Sequence, residues 1–235
     1  MPVTGPQFGR SRFDEARLIE LRKSEAAKYD TEYFVSDYWK EDIPGKSGNR
    51  GLAYLDPGHS QRFDLLWKGI AAITNGGSFL DVGCATGILV EVALNSGAVI
   101  CGVDPALAAV DEFQGRTQGR WPNAVFQGSS SSLSFADASF DVLLCFDVLE
   151  HLIVFDCFDA VVELCRVART RIIASINLDN PYEYHPTILS RNTWVTLFEA
   201  TGMAVFNRGS TERISQIVCP TRPEYDFFVF DRVMT

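Results

Sequence analysis

The run Phe79-Leu80-Asp81-Val82-Gly83-Cys84-Ala85-Thr86-Gly87 constrains this chain most, because an apolar stretch ends in an acid and passes directly into spaced glycines. Phe79, Leu80 and Val82 read as a buried strand. Gly83 and Gly87 permit a tight turn where backbone approaches a ligand closely. Ile88-Leu89-Val90-Glu91-Val92-Ala93-Leu94 then opens a helix. A strand, a glycine turn and a helix in that order mark a nucleotide-type ligand pocket when the elements downstream agree; alone they describe any strand-to-helix connection of an α/β protein.

The downstream pattern agrees. The spacing predicts a helix from Ser60 through Phe63, Leu66 and Ile70, a strand over 78–82, a helix over 87–96, and a strand over 98–103 running into Asp104. A helix near 105–115, strands over 123–127 and 140–146, a helix over 155–168 and a strand over 170–176 continue the alternation. That alternation implies an α/β fold with a doubly wound, Rossmann-like, mostly parallel sheet and right-handed crossovers. Ser190 to Thr201 reads as a helix closed by Gly202, and 203–207 and 226–233 read as two further strands.

Two regions divide the chain: residues 1–58 as an N-terminal extension and residues 59–235 as the core domain. Ser11 to Tyr29 has helical spacing, and Tyr29, Tyr33, Phe34, Tyr38 and Trp39 form an aromatic cluster before a breaker-rich loop over 43–51. That cluster suits a lid over a ligand site as well as it suits docking of the extension onto the core.

The chain has 235 residues and a formal charge of −9, which argues against a phosphate-backbone partner and for a small-molecule one. No apolar run approaches the ~20 residues that cross a bilayer, and Met1 to Pro6 lacks a signal-peptide pattern, so a cytoplasmic protein with no membrane association is expected. The six cysteines lack a C-x-x-C pair and read as small buried hydrophobes in a reducing compartment. Oligomeric state has no readable signature.

Asp81 and Asp104 end adjacent strands, where a doubly wound sheet binds its ligand. A carboxylate at Asp104 can accept from both hydroxyls of a ribose, or can cap the helix that Pro105 begins. The turn lacks the third glycine of G-x-G-x-x-G, and Asp81 would sit badly beside a pyrophosphate. A cationic ligand fits better.

On these residues the chain resembles the class I S-adenosylmethionine-dependent methyltransferases. Leu80 to Gly87 is similar to their first motif and Gly102-Val103-Asp104 to their second. Phe135 to Leu144, followed by Asp147-Val148-Leu149-Glu150-His151-Leu152, is similar to their fourth-strand signature. The resemblance implies a seven-stranded sheet with helices on both faces and an antiparallel final strand, with S-adenosylmethionine as cofactor. It also implies that Asp81, Gly83, Cys84, Ala85 and Gly87 surround the methionine end, Asp104 holds the ribose and Pro105 packs on the adenine. Phe146 is counted with this pocket. Ser129 stands near where the family usually places an adenine-facing Asp, and Ala85 where it more often has Gly.

Methyl transfer to a hydroxyl needs a group to take its proton, which makes His151 the first candidate, with His185 in the Asp179 to Pro186 loop beside it. His59, near Arg62, is a weaker candidate for touching the cofactor carboxylate. Asp147, Glu150 and His151 stand at i, i+3 and i+4, so a helical turn would gather them on one face. Similar groups in methyltransferases resembling the ubiquinone-pathway enzymes can hold a divalent ion; here they are read as acid–base candidates with no metal assigned. The resulting expectation is an enzyme methylating an oxygen, or secondarily a nitrogen, of a small molecule. A non-catalytic cofactor-binding scaffold and a nicotinamide-dependent oxidoreductase are the rival readings.

Overall fold

A computed structural model describes residues 57–178, 185–220 and 227–233, together with the helical pair Glu20 and Lys23, which are joined by an ion pair at 3.3 Å. The expected aromatic lid, the 43–51 loop and most of the 179–186 loop lie outside the described residues. In chain order the elements are α1 (Pro57–Ile73), β1 (Ser78–Val82), α2 (Ile88–Asn95), β2 (Val99–Asp104), α3 (Leu107–Arg116), β3 (Val125–Gln127) and β4 (Phe140–Phe146). A 3₁₀ turn (Leu149–His151), α4 (Val154–Val167), β5 (Ala168–Ser175), α5 (Arg191–Glu199), β6 (Ala204–Phe206), α6 (Arg208–Val218) and β7 (Phe227–Arg232) complete the chain.

The strands form one sheet in the order β3-β2-β1-β4-β5-β7-β6. Pairings from β3 through β5 are parallel, and β7 runs antiparallel to both β5 and β6. Strands buried on both faces carry apolar side chains on both, and the middles of the central ones do, with polar residues near their ends. Along β4, Leu143 and Cys145 enter the core under α4 and α5, while Val142 and Leu144 enter the core shared by α1, α2 and α6. In β5, Ile172 and Ala174 take the first side and Ile173 the second; in β7, Phe228 and Phe230 oppose Phe227 and Val229. The strict period of two thus fills two cores from one sheet.

Sequence spacing predicts each strand among the described residues, whereas it does not predict α6. Asn207 is not the last residue of a strand; its side chain caps α6 by accepting from the Ser210 amide at 2.9 Å. The buried face of α6 carries Thr211 and Ser215 beside Ile214, so its apolar periodicity is thin. Polar contacts replace it: the Thr211 hydroxyl accepts from the Val229 amide of β7 at 3.0 Å. Against α1, Gly69 lets the helix approach, since a Cβ there would stand 2.7 Å from Val218 Cγ2.

Candidate active site

The carboxyl ends of β1 and β2 hold the first half of the site. Gly83 donates to the Val103 carbonyl at 2.8 Å and Cys84 donates to the same oxygen at 3.0 Å, which ties the glycine turn to β2. Gly83, Ala85 and Gly87 all take left-handed φ, at 76°, 46° and 68°. For Gly83 and Gly87 the conformation is free, and bulk is excluded as well. A Cβ on Gly83 would lie 2.3 Å from Val148 Cγ2, and one on Gly87 2.6 Å from Phe113 Cδ2. For Ala85 the left-handed region costs about 1 kcal/mol, so neighbours must hold it.

Asp104 is one such neighbour. Its Oδ2 accepts from the Ala85 amide at 2.9 Å and its Oδ1 from the Ala106 amide at 2.9 Å. The helix cap expected of it is taken by Ala106 instead, so the carboxylate joins the glycine turn to the end of β2 with a free lone pair left on each oxygen. Burial pushes Asp104 up to about 6, against these two hydrogen bonds, which pull it down. Burial, and then the charge of Asp104, pushes Asp81 up to about 7. Two buried carboxyls of raised pKa favour a cation beside them.

Other expected cofactor residues are dispersed around this turn. The Cys84 side chain is buried in the α1–α2 core beside Gly102, so only its backbone faces the turn. Pro105 is exposed, and its carbonyl accepts from Gln127 Nε2 at 3.1 Å. Ser129 is exposed and its hydroxyl pairs with that of Ser131 at 3.0 Å. Phe146 is half-buried at the end of β4, edge-on to Phe227. His59 falls inside α1.

The second half of the site follows β4, and here the expected geometry fails. Asp147 is left-handed, with φ 53°, and precedes a 3₁₀ turn rather than a regular helix. Its amide donates to the Ser175 carbonyl at 3.0 Å and its Oδ1 accepts from the Ser175 hydroxyl at 2.8 Å. The i, i+3, i+4 face of Asp147, Glu150 and His151 therefore does not form. The strand end turns Asp147 toward β5 before the helical geometry begins.

His185 takes its place. Glu150, His151 and His185 each bring a ligand atom within 4.8 Å of the others, and the two imidazoles meet edge to face at 4.6 Å. Glu150 is 1 % exposed, with Oε1 accepting from the Asn177 amide at 2.9 Å. The Thr187 amide donates to the Glu150 carbonyl at 3.2 Å and the Thr187 hydroxyl to the Leu152 carbonyl at 2.7 Å, which fastens the segment carrying His185 to the 3₁₀ turn. Such a carboxylate–imidazole group can take a proton from a hydroxyl or hold a divalent cation. The supports Asn177 and Thr187 were not foreseen; no periodic signal marks them.

Residues 80–172 match a methyltransferase domain family. The ubiquinone biosynthesis O-methyltransferase of Xylella fastidiosa (strain M23) is 31 % identical over 133 residues, covering 56 % of this chain and 50 % of that protein. The enzyme of the same name from Coxiella burnetii (strain Dugway 5J108-111) is 32 % identical over 74 residues, 31 % of this chain and 32 % of its own. The chain thus spans half or less of the length of these curated relatives. Magnesium protoporphyrin IX methyltransferase from Synechocystis PCC 6803, solved with bound SAH, superposes with a TM-score of 0.57 at 18 % identity, covering 94 % of this chain and 100 % of that one. A Pyrococcus horikoshii OT3 protein superposes with a TM-score of 0.59 at 14 % identity over 76 % of this chain and 93 % of its own. The glycine turn and the acid that ends β2 both lie within the residues that match the methyltransferase domain family, and the chain shares the fold of these solved proteins.

Proposed function

We propose that the protein transfers a methyl group from S-adenosylmethionine to an oxygen of a small-molecule acceptor. One observation carries the reading: the acidic glycine turn and the Glu150–His151–His185 group both stand at the carboxyl ends of neighbouring central strands. In this reading Gly83, Ala85, Gly87 and the Cys84 backbone line the methionine end, and Asp81 answers its ammonium. Asp104 keeps a lone pair on each oxygen for the ribose hydroxyls, while Pro105, Ser129 and Phe146 border the rest of the cofactor.

S-adenosylmethionine, when bound, supplies an electrophilic methyl on a positively charged sulfur. The residues of this chain align and deprotonate. The acidic pair beside the turn favours a cationic cofactor over its neutral-sulfur product, which assists product release. His151 or His185 accepts the hydroxyl proton as the acceptor oxygen attacks, and buried Glu150 stabilises the imidazolium that results. A neutral amine needs no such base, so the histidine pair favours oxygen over nitrogen. The names of the sequence relatives support the same preference.

Calorimetry with S-adenosylmethionine and S-adenosylhomocysteine, followed by transfer of labelled methyl to a panel of phenols, catechols and carboxylic acids, tests the proposal. Binding of both ligands and label on an acceptor oxygen are the expected results. Absence of binding at high micromolar concentration would defeat the proposal. Binding without transfer to any acceptor would favour a cofactor-binding scaffold.

A further inference from the structure

The glycine turn is held from two directions, and only one of them faces the cofactor. In front, Asp104 Oδ2 accepts from the Ala85 amide at 2.9 Å. Behind, Arg116 Nη2 donates to the Thr86 carbonyl at 2.5 Å, while Nη1 is ion-paired with Glu91 Oε2. Arg116 is the last residue of α3, and Glu91 lies in the first turn of α2, where its amide donates to the Gly87 carbonyl at 2.9 Å. One guanidinium therefore joins the turn, the helix that the turn opens and the end of the neighbouring helix. One helical turn earlier, Phe113 fills the space behind Gly87.

We propose that Arg116, set by Glu91, is a positioning residue for the cofactor: by holding the Thr86 carbonyl it fixes the turn between left-handed Ala85 and left-handed Gly87 that S-adenosylmethionine meets. The inference rests on the methyltransferase reading above. Two features separate it from a merely stabilising contact. The guanidinium is drawn partly out of water, which lowers its pKa, and an ion pair that keeps about a quarter of each side chain exposed contributes little net stability. Its Nε and the Thr86 hydroxyl oxygen are also buried without hydrogen-bond partners, a desolvation cost that an apolar contact would not incur. What the arrangement provides is direction: a planar fork serves a carbonyl and a carboxylate at once, which an ammonium cannot do with fixed geometry.

The test uses the full chain with Arg116→Ala, Arg116→Lys and Glu91→Gln. Dissociation constants for S-adenosylhomocysteine are read by calorimetry, and kcat and KM for S-adenosylmethionine by methyl transfer. The expected result is a loss of binding of about tenfold for Arg116→Ala and about threefold for the other two, the range of a charge-assisted hydrogen bond removed or misaligned. KM should rise by similar factors while saturated kcat stays within about threefold of wild type. Low millimolar guanidinium should restore part of the binding of Arg116→Ala, which a packing defect would not permit. Unchanged affinity in the variants, or a fall in kcat with KM unmoved, overturns the proposal. Should Arg116→Ala fail to fold, Arg116→Lys and Glu91→Gln decide by the same criteria. A wild-type protein that binds neither ligand overturns the methyltransferase reading itself, and the positioning role with it. A wild-type protein that binds, with variants that bind equally well, overturns the positioning role alone.

Discussion

His151 and His185 meet edge to face, with ring centroids 4.6 Å apart and planes at 80°, although they enter from different segments of the chain. In the proposed reaction this contact couples the two rings, so that whichever accepts the proton does so with the other beside it. His151→Ala and His185→Ala are each expected to lower kcat by about 10² to 10⁴, the usual range for loss of a general base. Affinity for S-adenosylhomocysteine should stay within about twofold, because neither ring belongs to the glycine turn. The double variant should lose little beyond the worse single one, as residues that act as a unit do. Additive losses in steady-state assays would show that the rings work independently.

Asp104 is expected to serve binding alone. Asp104→Asn retains an acceptor for either the Ala85 or the Ala106 amide but loses the charge offered to a ribose diol. Affinity for both cofactor forms should fall about 10- to 100-fold, equivalent to losing one or two hydrogen bonds to a charged group. Calorimetry with a 2′,3′-dideoxy analogue separates the contributions. The analogue lacking the hydroxyls should bind wild type and variant alike, and a preserved difference would place the effect in the turn instead of the ribose.

How far these residues were legible depends on sequence distance. β1 and β4 declared themselves because burial on both faces leaves a mostly apolar run, Phe79 to Val82 interrupted by Asp81 alone and Val142 to Phe146 by nothing, and Asp81 and Asp104 stood out as acids near the ends of such runs. Asp147 misled because the i, i+3, i+4 spacing presumes helical backbone, whereas φ 53° at Asp147 sends its carboxylate to Ser175. His185 joins Glu150 and His151 through Thr187 and Asn177, contacts between remote segments that a single sequence does not encode as a pattern. Helix α6 escaped for a different reason. Its packing on β7 uses the Thr211 hydroxyl where an apolar side chain would have carried the signal.

The raised carboxyl at Asp81 gives a pH dependence whose sign can be worked out. Burial raises its pKa in the folded protein from the ordinary 3.8 to about 7, so the unfolded state is ionised where the folded state still holds a proton. Asp81's contribution to unliganded stability is therefore fully present in acid and is lost as pH rises through 7, by on the order of 1 kcal/mol between pH 6 and 8. A cationic ligand favours the ionised form, so binding should release a proton below pH 7 and tighten as pH rises toward 8. Calorimetry in buffers of different ionisation heat counts that proton. Asp81→Asn should abolish both the proton release and this part of the pH slope; their persistence would assign the titration to another group.

Gly87→Ala tests whether conformation or space makes the glycine necessary. The residue has φ 68°, and a Cβ would stand 2.6 Å from Phe113 Cδ2 and 3.0 Å from Val125 Cγ2. Left-handed strain costs about 1 kcal/mol and overpacking about 1–3 kcal/mol, so urea unfolding should show a lower midpoint at unchanged m-value. Phe113→Leu opens the space at the cost of a small cavity of its own. If the clash dominates, Gly87→Ala in the Phe113→Leu background should be less destabilising than in wild type, with a favourable coupling of about 1 kcal/mol or more. If the left-handed backbone dominates, the two changes should add, and cofactor affinity should fall equally in both backgrounds, because the strained residue opens the helix that carries Glu91.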